Sequence, residues 1–517
     1  MMNKLLHNID RLETKHLFFS IIGASIFLAA WMQYIQHGWI NPDSVLYLEQ
    51  AARFAQGEWK AGFTIFQWPL YGLCIGLIHT LTSLPIQTAA QLLNMLFFGI
   101  ATASFLTLIK LAGGNNRTLF FGMLLLFSSL YIVGDVLEML MRDEGFWAFY
   151  LTALVYFTRY MQHGKVSDSF FWQVSIIVAT LFRIEAILFL LLLPLVTLYV
   201  KPSPPKDKVW FKEKIQQLLT AYSLSIVIGL VIGIAILTQP QISMAQFGRL
   251  NEIFNTNLYH EFTKLFFAKA EKMSNLVLGS YLEEFAIPGL LLTFIYVIGS
   301  KILTAAGWIG TGLALVSFKQ ASKHMQPIVK HTLVATSAIA LFIMALIIIK
   351  VFVLSSRYVV ALAFIMLIFA SFQLTELSSN THKKQRALFI LIFIILCLGF
   401  VKNILPKREG YNYQQDAVAW IKLHNKQNHA VFYDDSRVRY YAKQPFKGTG
   451  VPNLLELKTK YDNNSIHNYH YLVINSAKAN KESELFISRQ LANFSEIKRT
   501  SSYKEKKQIV IYKNTAK

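Results

Sequence analysis

The sequence predicts a polytopic α-helical membrane protein of about 11–13 transmembrane helices, followed by a small C-terminal α/β soluble domain. The chain of 517 residues is 54% hydrophobic and only 15% charged. A soluble chain carries about 25% charged residues. A helix needs about 20 apolar residues to cross the hydrocarbon core, and the sequence contains many such stretches. These observations exclude an ordinary soluble fold.

The apolar stretches give the individual spans. They cover 17–36, 88–110, 118–134, 145–161, 168–184, 186–200, 217–238, 285–318, 331–353, 356–376 and 387–403. The 285–318 stretch is too long for one ordinary helix, and Lys301 interrupts it. It fits one tilted span plus a re-entrant or interfacial helix, or else three short spans. Residues 68–86 contain Pro69 and Pro85, which favours an interfacial segment over a span.

Lysine and arginine in short loops mark the cytoplasmic side of a membrane protein. Basic groups precede the first span, the span at 217–238 and the last span. Alternation from a cytoplasmic N-terminus puts all three groups inside. It also puts the loops 37–87 and 239–284, and everything after 404, outside. The first apolar run lacks a small-residue cleavage site, so we expect it to be a retained anchor. The predicted location is the inner (cytoplasmic) membrane, with a periplasmic or extracellular C-terminal domain.

The chain therefore divides into a transmembrane domain, 1–404, and a soluble domain, 405–517. Within the latter, residues 416–425 have helical spacing. Residues 430–435, 470–475 and 508–514 have the pattern of short buried strands. This succession predicts a small α/β domain.

The net charge of +21 does not indicate a nucleic-acid partner, because the sequence has no Lys/Arg-rich run of the nucleic-acid-binding kind. The two cysteines, Cys74 and Cys397, lie in apolar stretches and cannot form a metal site alone. Membrane lipids are the partners that the composition predicts.

Charged residues collect at one boundary of the predicted membrane domain. Charged groups at membrane depth are costly and indicate function. In the topology above the outer turns carry Asp43, Arg142, Asp143, Glu144, Arg183, Glu185, Lys350 and Arg357. Such a mixture suits glycosyl transfer from a phospholipid donor. Cations or a metal stabilise the charge on the leaving phosphate, and a carboxylate takes the proton of the acceptor hydroxyl.

Three local patterns support this reading. An acidic residue follows the first span, with a Tyr-containing helix, a glycine and a Pro-aromatic stretch behind it: Asp43, Tyr47, Gly57 and "WPLYG" at 68–72. An Arg-acidic pair opens a span in "MRDEGFWAFYLTALVYF". An R-x-E pattern, Arg183 and Glu185, lies between two closely spaced spans, and "SRY" follows at 356–358. In this order the chain resembles the GT-C glycosyltransferases, in particular the branch of protein O-mannosyltransferases and lipid A aminoarabinose transferases.

The resemblance implies a catalytic transmembrane domain with a soluble domain on the outer side. It implies transfer of a sugar from a polyprenyl-phosphate-linked donor to a hydroxyl of a lipid, glycan or protein. A catalytic carboxylate that acts as a base and attacks nothing itself leaves a single displacement, so we expect inversion. Asp43 is then the general base, or holds a divalent metal ion that does that work; metal use stays open. The substrate-binding residues are Arg142, Asp143, Glu144, Arg183, Glu185, Lys350, Arg357 and Tyr358.

Each of these residues also has a structural explanation. Asp43 could cap an interfacial helix beginning near Ser44, and Asp143 and Glu144 could be favoured by a helix dipole. Arg183 and Glu185 could form a structural ion pair in a tight hairpin. The remaining cations, Arg142, Lys350 and Arg357, could snorkel or anchor helix ends at the headgroups.

The main rival function is a transporter or flippase of a lipid-linked sugar. Such proteins need polar groups along a path and often show internal repeats, whereas here the charges collect at one face. A non-catalytic membrane scaffold would not need carboxylates and arginines at several outer turns. A polymerase or ligase of lipid-linked sugars has closely related chemistry and stays open.

Overall fold

The computed structural model describes residues 2–35, 39–199, 208–238, 258–406, 412–446, 448, 453–477 and 481–516. Contacts divide the chain into two compact units. The first comprises Met1–Ala29, Asn94–Leu137 and Arg142–Asn403. The second comprises Ala30–Leu93, Glu138–Met141 and Ile404–Lys517, so the first predicted outer loop and the C-terminal domain belong to one unit.

Helices dominate the described part of the first 404 residues. In chain order they are α1 (Met2–Arg11), α2 (Thr14–Ile35), α3 (Pro42–Ala55), α4 (Trp59–Ile65), α5 (Leu70–Thr82), α6 (Ile86–Leu111), α7 (Asn116–Phe127), α8 (Asp143–His163), α9 (Val166–Phe182), α10 (Ala186–Leu192), α11 (Val196–Tyr199), α12 (Lys208–Thr238), α13 (Leu258–Met273), α14 (Ala286–Ala306), α15 (Trp308–Lys319), α16 (Pro327–Val351), α17 (Val360–Ser379) and α18 (Lys383–Ile404).

The predicted polytopic membrane fold is confirmed. Among the described residues, seven helical stretches are long and apolar enough to span a bilayer: Thr14–Ile35, Ile86–Leu111, Lys212–Ala235, Glu283–Ala306, Pro327–Val351, Val360–Ser379 and Lys383–Ile404. Shorter apolar helices lie at Leu70–Thr82, Asn116–Phe127, Val166–Phe182 and Ala186–Tyr199. The helix in the 118–134 stretch ends early, at Phe127, and a π-helical turn, Ile132–Val136, follows it.

The long 285–318 stretch forms two helices, α14 and α15. The helix is interrupted at Gly307, whose φ is +75°, a conformation that glycine adopts without steric cost. Lys301 lies inside α14, so the predicted interruption at that residue is wrong. The apolar run hides the break because a glycine among apolar residues does not alter its hydropathy.

The loop that the sequence predicts to be the first outer one, 37–87, contains α3, α4 and α5. Helix α3 begins at Pro42, and the capping position is Asn41 with an extended backbone. Asp43 therefore lies inside the first turn, and its predicted role as the cap is wrong, because proline occupies the first helical position and favours a start there. Buried Gln50 then ties α3 to the following segments by donating hydrogen bonds to the carbonyls of Gly62 (3.1 Å) and Phe66 (2.6 Å).

The loop that the sequence predicts to be the second outer one, 239–284, is only partly described. Residues 239–257 lie outside the described residues. The remainder contains α13 and a π-helical turn, Ser274–Leu278.

The C-terminal segment has the predicted α/β character. Its helices are α19 (Tyr413–His424), α20 (Ser436–Tyr441), α21 (Asn453–Asp462) and α22 (Glu482–Gln490), and its strands are β1 (Val431–Tyr433), β2 (Tyr471–Ala477), β3 (Phe494–Ser501) and β4 (Lys507–Asn514). The sheet order is β1-β2-β4-β3, with β1 parallel to β2 and the other pairs antiparallel. Strand β3 was not predicted, because it lies at the sheet edge and most of its side chains are polar.

Charged groups also lie buried at the end of β1, but they have structural partners. Asp434 accepts hydrogen bonds from the backbone amide of Asn475 at 2.8 and 2.9 Å. Burial and the neighbouring Asp435 carboxylate raise the pKa of Asp434 well above its usual value. Asp435 in turn pairs with Arg437 at 2.6 Å. These contacts connect β1, β2 and α20, and they account for the charges without a ligand.

Candidate functional site

The most concentrated group of buried charges in the first unit is centred on Arg183. Its guanidinium forms an ion pair with Asp143 and a second one with Glu185 at 3.2 Å. Arg183 is 4% exposed and Asp143 is 1% exposed. Two of the predicted site elements, 40 residues apart in sequence, therefore form one contact network.

The hairpin of α8 and α9 brings these groups together. The two helices pack side by side and are joined by a short connection at Gly164, whose φ is +67°. In such a hairpin the start of one helix lies beside the end of the next. Asp143 opens α8, and Arg183 follows the last residue of α9 in an extended conformation. Glu185 then occupies the capping position of α10.

Tyr358 brings a third segment of the chain to Arg183. The ring centroid of Tyr358 lies 4.5 Å from the guanidinium carbon of Arg183 and 5.9 Å from that of Arg357. Both distances are within the range of cation–π attraction. Arg357 and Tyr358 belong to a 3-10 turn, Ser356–Tyr358, just before α17. The predicted R-x-E and SRY patterns are therefore in contact.

Tyr131 interacts with the same group through that group's charges, and sequence reasoning missed it. Its phenol interacts electrostatically with Asp143, Arg183, Arg357 and the exposed Asp135. Tyr131 stands at the N-terminal end of the π-helical turn. In the sequence it is an aromatic residue near the end of a predicted span, and tyrosine is common there because it is enriched at the membrane–water interface.

The other predicted substrate-binding residues lie at different depths around the group. Arg142 interacts electrostatically with Glu185. Glu144 is completely buried, beside Asp143 and the amide of Asn94. Lys350 is half-buried in the last turn of α16, seven positions before Arg357. The contacts that define the group are those of Arg183 with two carboxylates and the Tyr358 ring, and that of Arg357 with the same ring.

Asp43 belongs to the second unit. It is half-buried in the first turn of α3, where the helix dipole favours a carboxylate. Its neighbour Ser44 is fully buried; the hydroxyl contacts the Asn41 side chain and lies 3.0 Å from the carbonyl oxygen of Leu140. The start of α3 is thus fixed against residues 138–141, so the backbone that carries Asp43 is held in place.

Metal binding was left open by the sequence. Across the part of the chain that the structure describes, no group of three or more His, Cys, Asp or Glu side chains is arranged to hold a metal ion. We therefore assign no residue to a metal.

No protein-family model matches the sequence, and no curated protein matches it. Among solved structures, the chain is similar to the archaeal oligosaccharyltransferase AglB from Archaeoglobus fulgidus in complex with an inhibitory peptide and a dolichol-phosphate. The TM-score is 0.46 at 10% identity over 85% of this chain. It is also similar to two structures of the arabinofuranosyltransferase AftD from Mycobacteria. One is a mutant form, at TM-score 0.48, and the other has a TM-score of 0.47; both are 12% identical over 98% of this chain. The chain spans 60%, 42% and 40% of the lengths of these three solved chains.

Proposed function

We propose that this chain is a membrane glycosyltransferase that moves a sugar from a polyprenyl-phosphate-linked donor to a hydroxyl acceptor at the outer face of the cytoplasmic membrane. The acceptor is a lipid, a glycan or a protein. The observation that carries the proposal is the buried group of Asp143, Arg183 and Glu185 beside Arg357 and Tyr358. Burying ion pairs seldom gains stability over apolar packing, so a function explains this group better than stability does.

The roles within the group follow from its contacts. Arg183 is held by two carboxylates and by the Tyr358 ring, so it acts as a positioning residue for the 3-10 turn. Arg357 on that turn is only half-buried, so part of its side chain is accessible to a ligand. A guanidinium matches a phosphate in geometry as well as in charge. We assign phosphate binding to Arg357.

The reaction is a single displacement. The acceptor oxygen forms a bond to the anomeric carbon while the bond from that carbon to the donor phosphate oxygen breaks, and its electron pair stays on the phosphate. Attack and departure occur on opposite sides of the carbon, so the configuration inverts. The proton of the acceptor hydroxyl passes to a carboxylate, for which we propose Asp43. Arg357 stabilises the charge that grows on the leaving phosphate.

Transfer by the purified protein in detergent micelles tests this function against the flippase. A strain from which the gene for this chain is deleted should lack one sugar on a surface lipid, glycan or protein. It should also accumulate a polyprenyl-phosphate sugar. We expect the purified protein to move the sugar from that lipid to the under-glycosylated acceptor in micelles. A flippase gives no such product, because it forms no glycosidic bond and a micelle has no two sides between which it could move a lipid. Failure of transfer, together with donor translocation in liposomes, would establish the flippase instead.

Replacing Arg357 tests the phosphate clamp. We expect Arg357→Ala to weaken binding of undecaprenyl phosphate by about 10- to 150-fold, because hydrogen bonds to a charged group contribute about 1.5–3 kcal/mol. Arg357→Lys should recover only part of the affinity, since the planar, two-pronged geometry is lost. Affinity is measured by thermophoresis of the purified variants. Lys319→Ala, at an exposed cation of the same unit, should bind normally. Normal binding by Arg357→Ala would remove that residue from the site.

A further inference from the structure

The second unit contains an open groove of about 1130 Å³ at the corner between α3 and α4. Its walls include Arg53, Glu58, Trp59, Lys60 and Thr64, and Phe446 of the C-terminal segment also lines it. We propose that this groove binds the saccharide part of the acceptor. The inference rests on the proposed function and deepens it by naming the class of acceptor.

An exposed aromatic platform forms one wall of the groove. Trp59 is the first residue of α4 and is 57% exposed. Its ring packs against that of Phe54, with centroids 5.6 Å apart. Gly62 lies so close to Phe54 that an added Cβ would sit 2.4 Å from the ring, so α4 presses on Phe54 and leaves it little room. The indole is thus supported from behind, and it offers a flat apolar surface of the kind on which the C–H face of a sugar ring stacks.

Polar groups beside the platform match sugar hydroxyls. Arg53 and Glu58 form an ion pair at 2.7 Å, and both side chains are partly exposed. Lys60 adds a second cation to the wall. A sugar hydroxyl both donates and accepts hydrogen bonds, so it can bind the Glu58 carboxylate as well as the Arg53 guanidinium. A lipid tail would desolvate these charges without replacing their hydrogen bonds, and a phosphate would meet the carboxylate of Glu58.

The groove lies at the C-terminal end of α3, the helix that carries Asp43. Arg53 is ten residues beyond Asp43 on α3, and at a rise of about 1.5 Å per residue the separation along the axis is about 15 Å. That distance exceeds one sugar ring and matches the reach of a short oligosaccharide. An acceptor held at Trp59 could therefore extend along α3 toward Asp43, which favours oligosaccharides over monosaccharides.

Glycan binding by the full-length purified protein tests the groove directly. The probe is a printed array of bacterial and archaeal cell-surface glycans, from monosaccharides to oligosaccharides. We expect the wild type to bind a set of oligosaccharides, and Trp59→Ala to lower that signal about tenfold or more. Trp59→Tyr, which keeps a ring, should retain part of it. Thr64→Arg, at an exposed position of the same wall, should block the groove and lower the signal without removing the platform.

Two controls separate the groove from the rest of the proposal. Trp308→Ala removes an exposed tryptophan of the first unit, 76% exposed, and should bind as the wild type does. Asp43→Asn should bind glycans normally while losing transfer, so a defect in catalysis and a defect in this groove give different results. An array on which the wild type binds no glycan, or on which Trp59→Ala and Thr64→Arg both bind normally, would overturn the inference, even with transfer intact.

Discussion

Replacing Asp43 with asparagine should lower sugar transfer by roughly 10²- to 10⁴-fold, the usual cost of losing a general base. The variant should still insert and fold, because Asn41 and not Asp43 is the capping residue of α3. The substitution keeps the size of the side chain but removes its negative charge and its ability to take a proton. The rate is measured with purified protein in micelles, at saturating donor.

A matched substitution separates catalysis from helix stability. Asp416 lies in the first turn of α19, is exposed, and belongs to the same unit as Asp43. Asp416→Asn removes the same favourable interaction with a helix dipole, about 0.3–1 kcal/mol, but should leave transfer unchanged. Full activity of Asp43→Asn would end its assignment as the base, and Asp143 or Glu144 would be the next carboxylate to test.

The elements that depend on hydropathy alone were predictable from the sequence. The helices α2, α6 and α16 begin and end within a few residues of the predicted spans, because a run of apolar side chains has few alternatives to a buried helix. The bounds of β1, β2 and β4 also lie close to the predicted strands, because their buried runs are short and continuous. Strand β3 shows the limit, since an edge strand with mostly polar side chains carries little hydropathy signal.

The candidate site was predictable in its parts but not in its contacts. The sequence predicted that Arg183 and Glu185 could pair, because they are only two positions apart in a tight hairpin. It could not predict the pair between Arg183 and Asp143, because that contact depends on how α8 and α9 align. Tyr131 was missed for a related reason: it stands at the start of a π-helical turn that the hydropathy of the 118–134 stretch does not reveal, and its electrostatic interactions with the group depend on that turn.

Removing the Arg183 guanidinium should have the largest effect on stability of the substitutions considered. Arg183→Met leaves the Asp143 carboxylate buried without its ion pair. Breaking a buried pair in this way costs about 3–5 kcal/mol in the free energy of unfolding. We expect a clear fall in the melting temperature in detergent, together with loss of transfer. Arg117→Ala breaks a more exposed pair with Asp10 in the same unit and should cost at most about 1 kcal/mol.

The double variant Asp143→Asn/Arg183→Met decides what the pair is for. Removing both charges takes away the unpaired buried carboxylate, so much of the lost melting temperature should return. Transfer should not return, because Arg183 also holds the Tyr358 ring at 4.5 Å and through it the turn that presents Arg357. Undecaprenyl phosphate should accordingly bind the double variant more weakly than the wild type. If stability, lipid binding and transfer all recovered together, the pair would have only a structural role. Phosphate binding would then not depend on the pair.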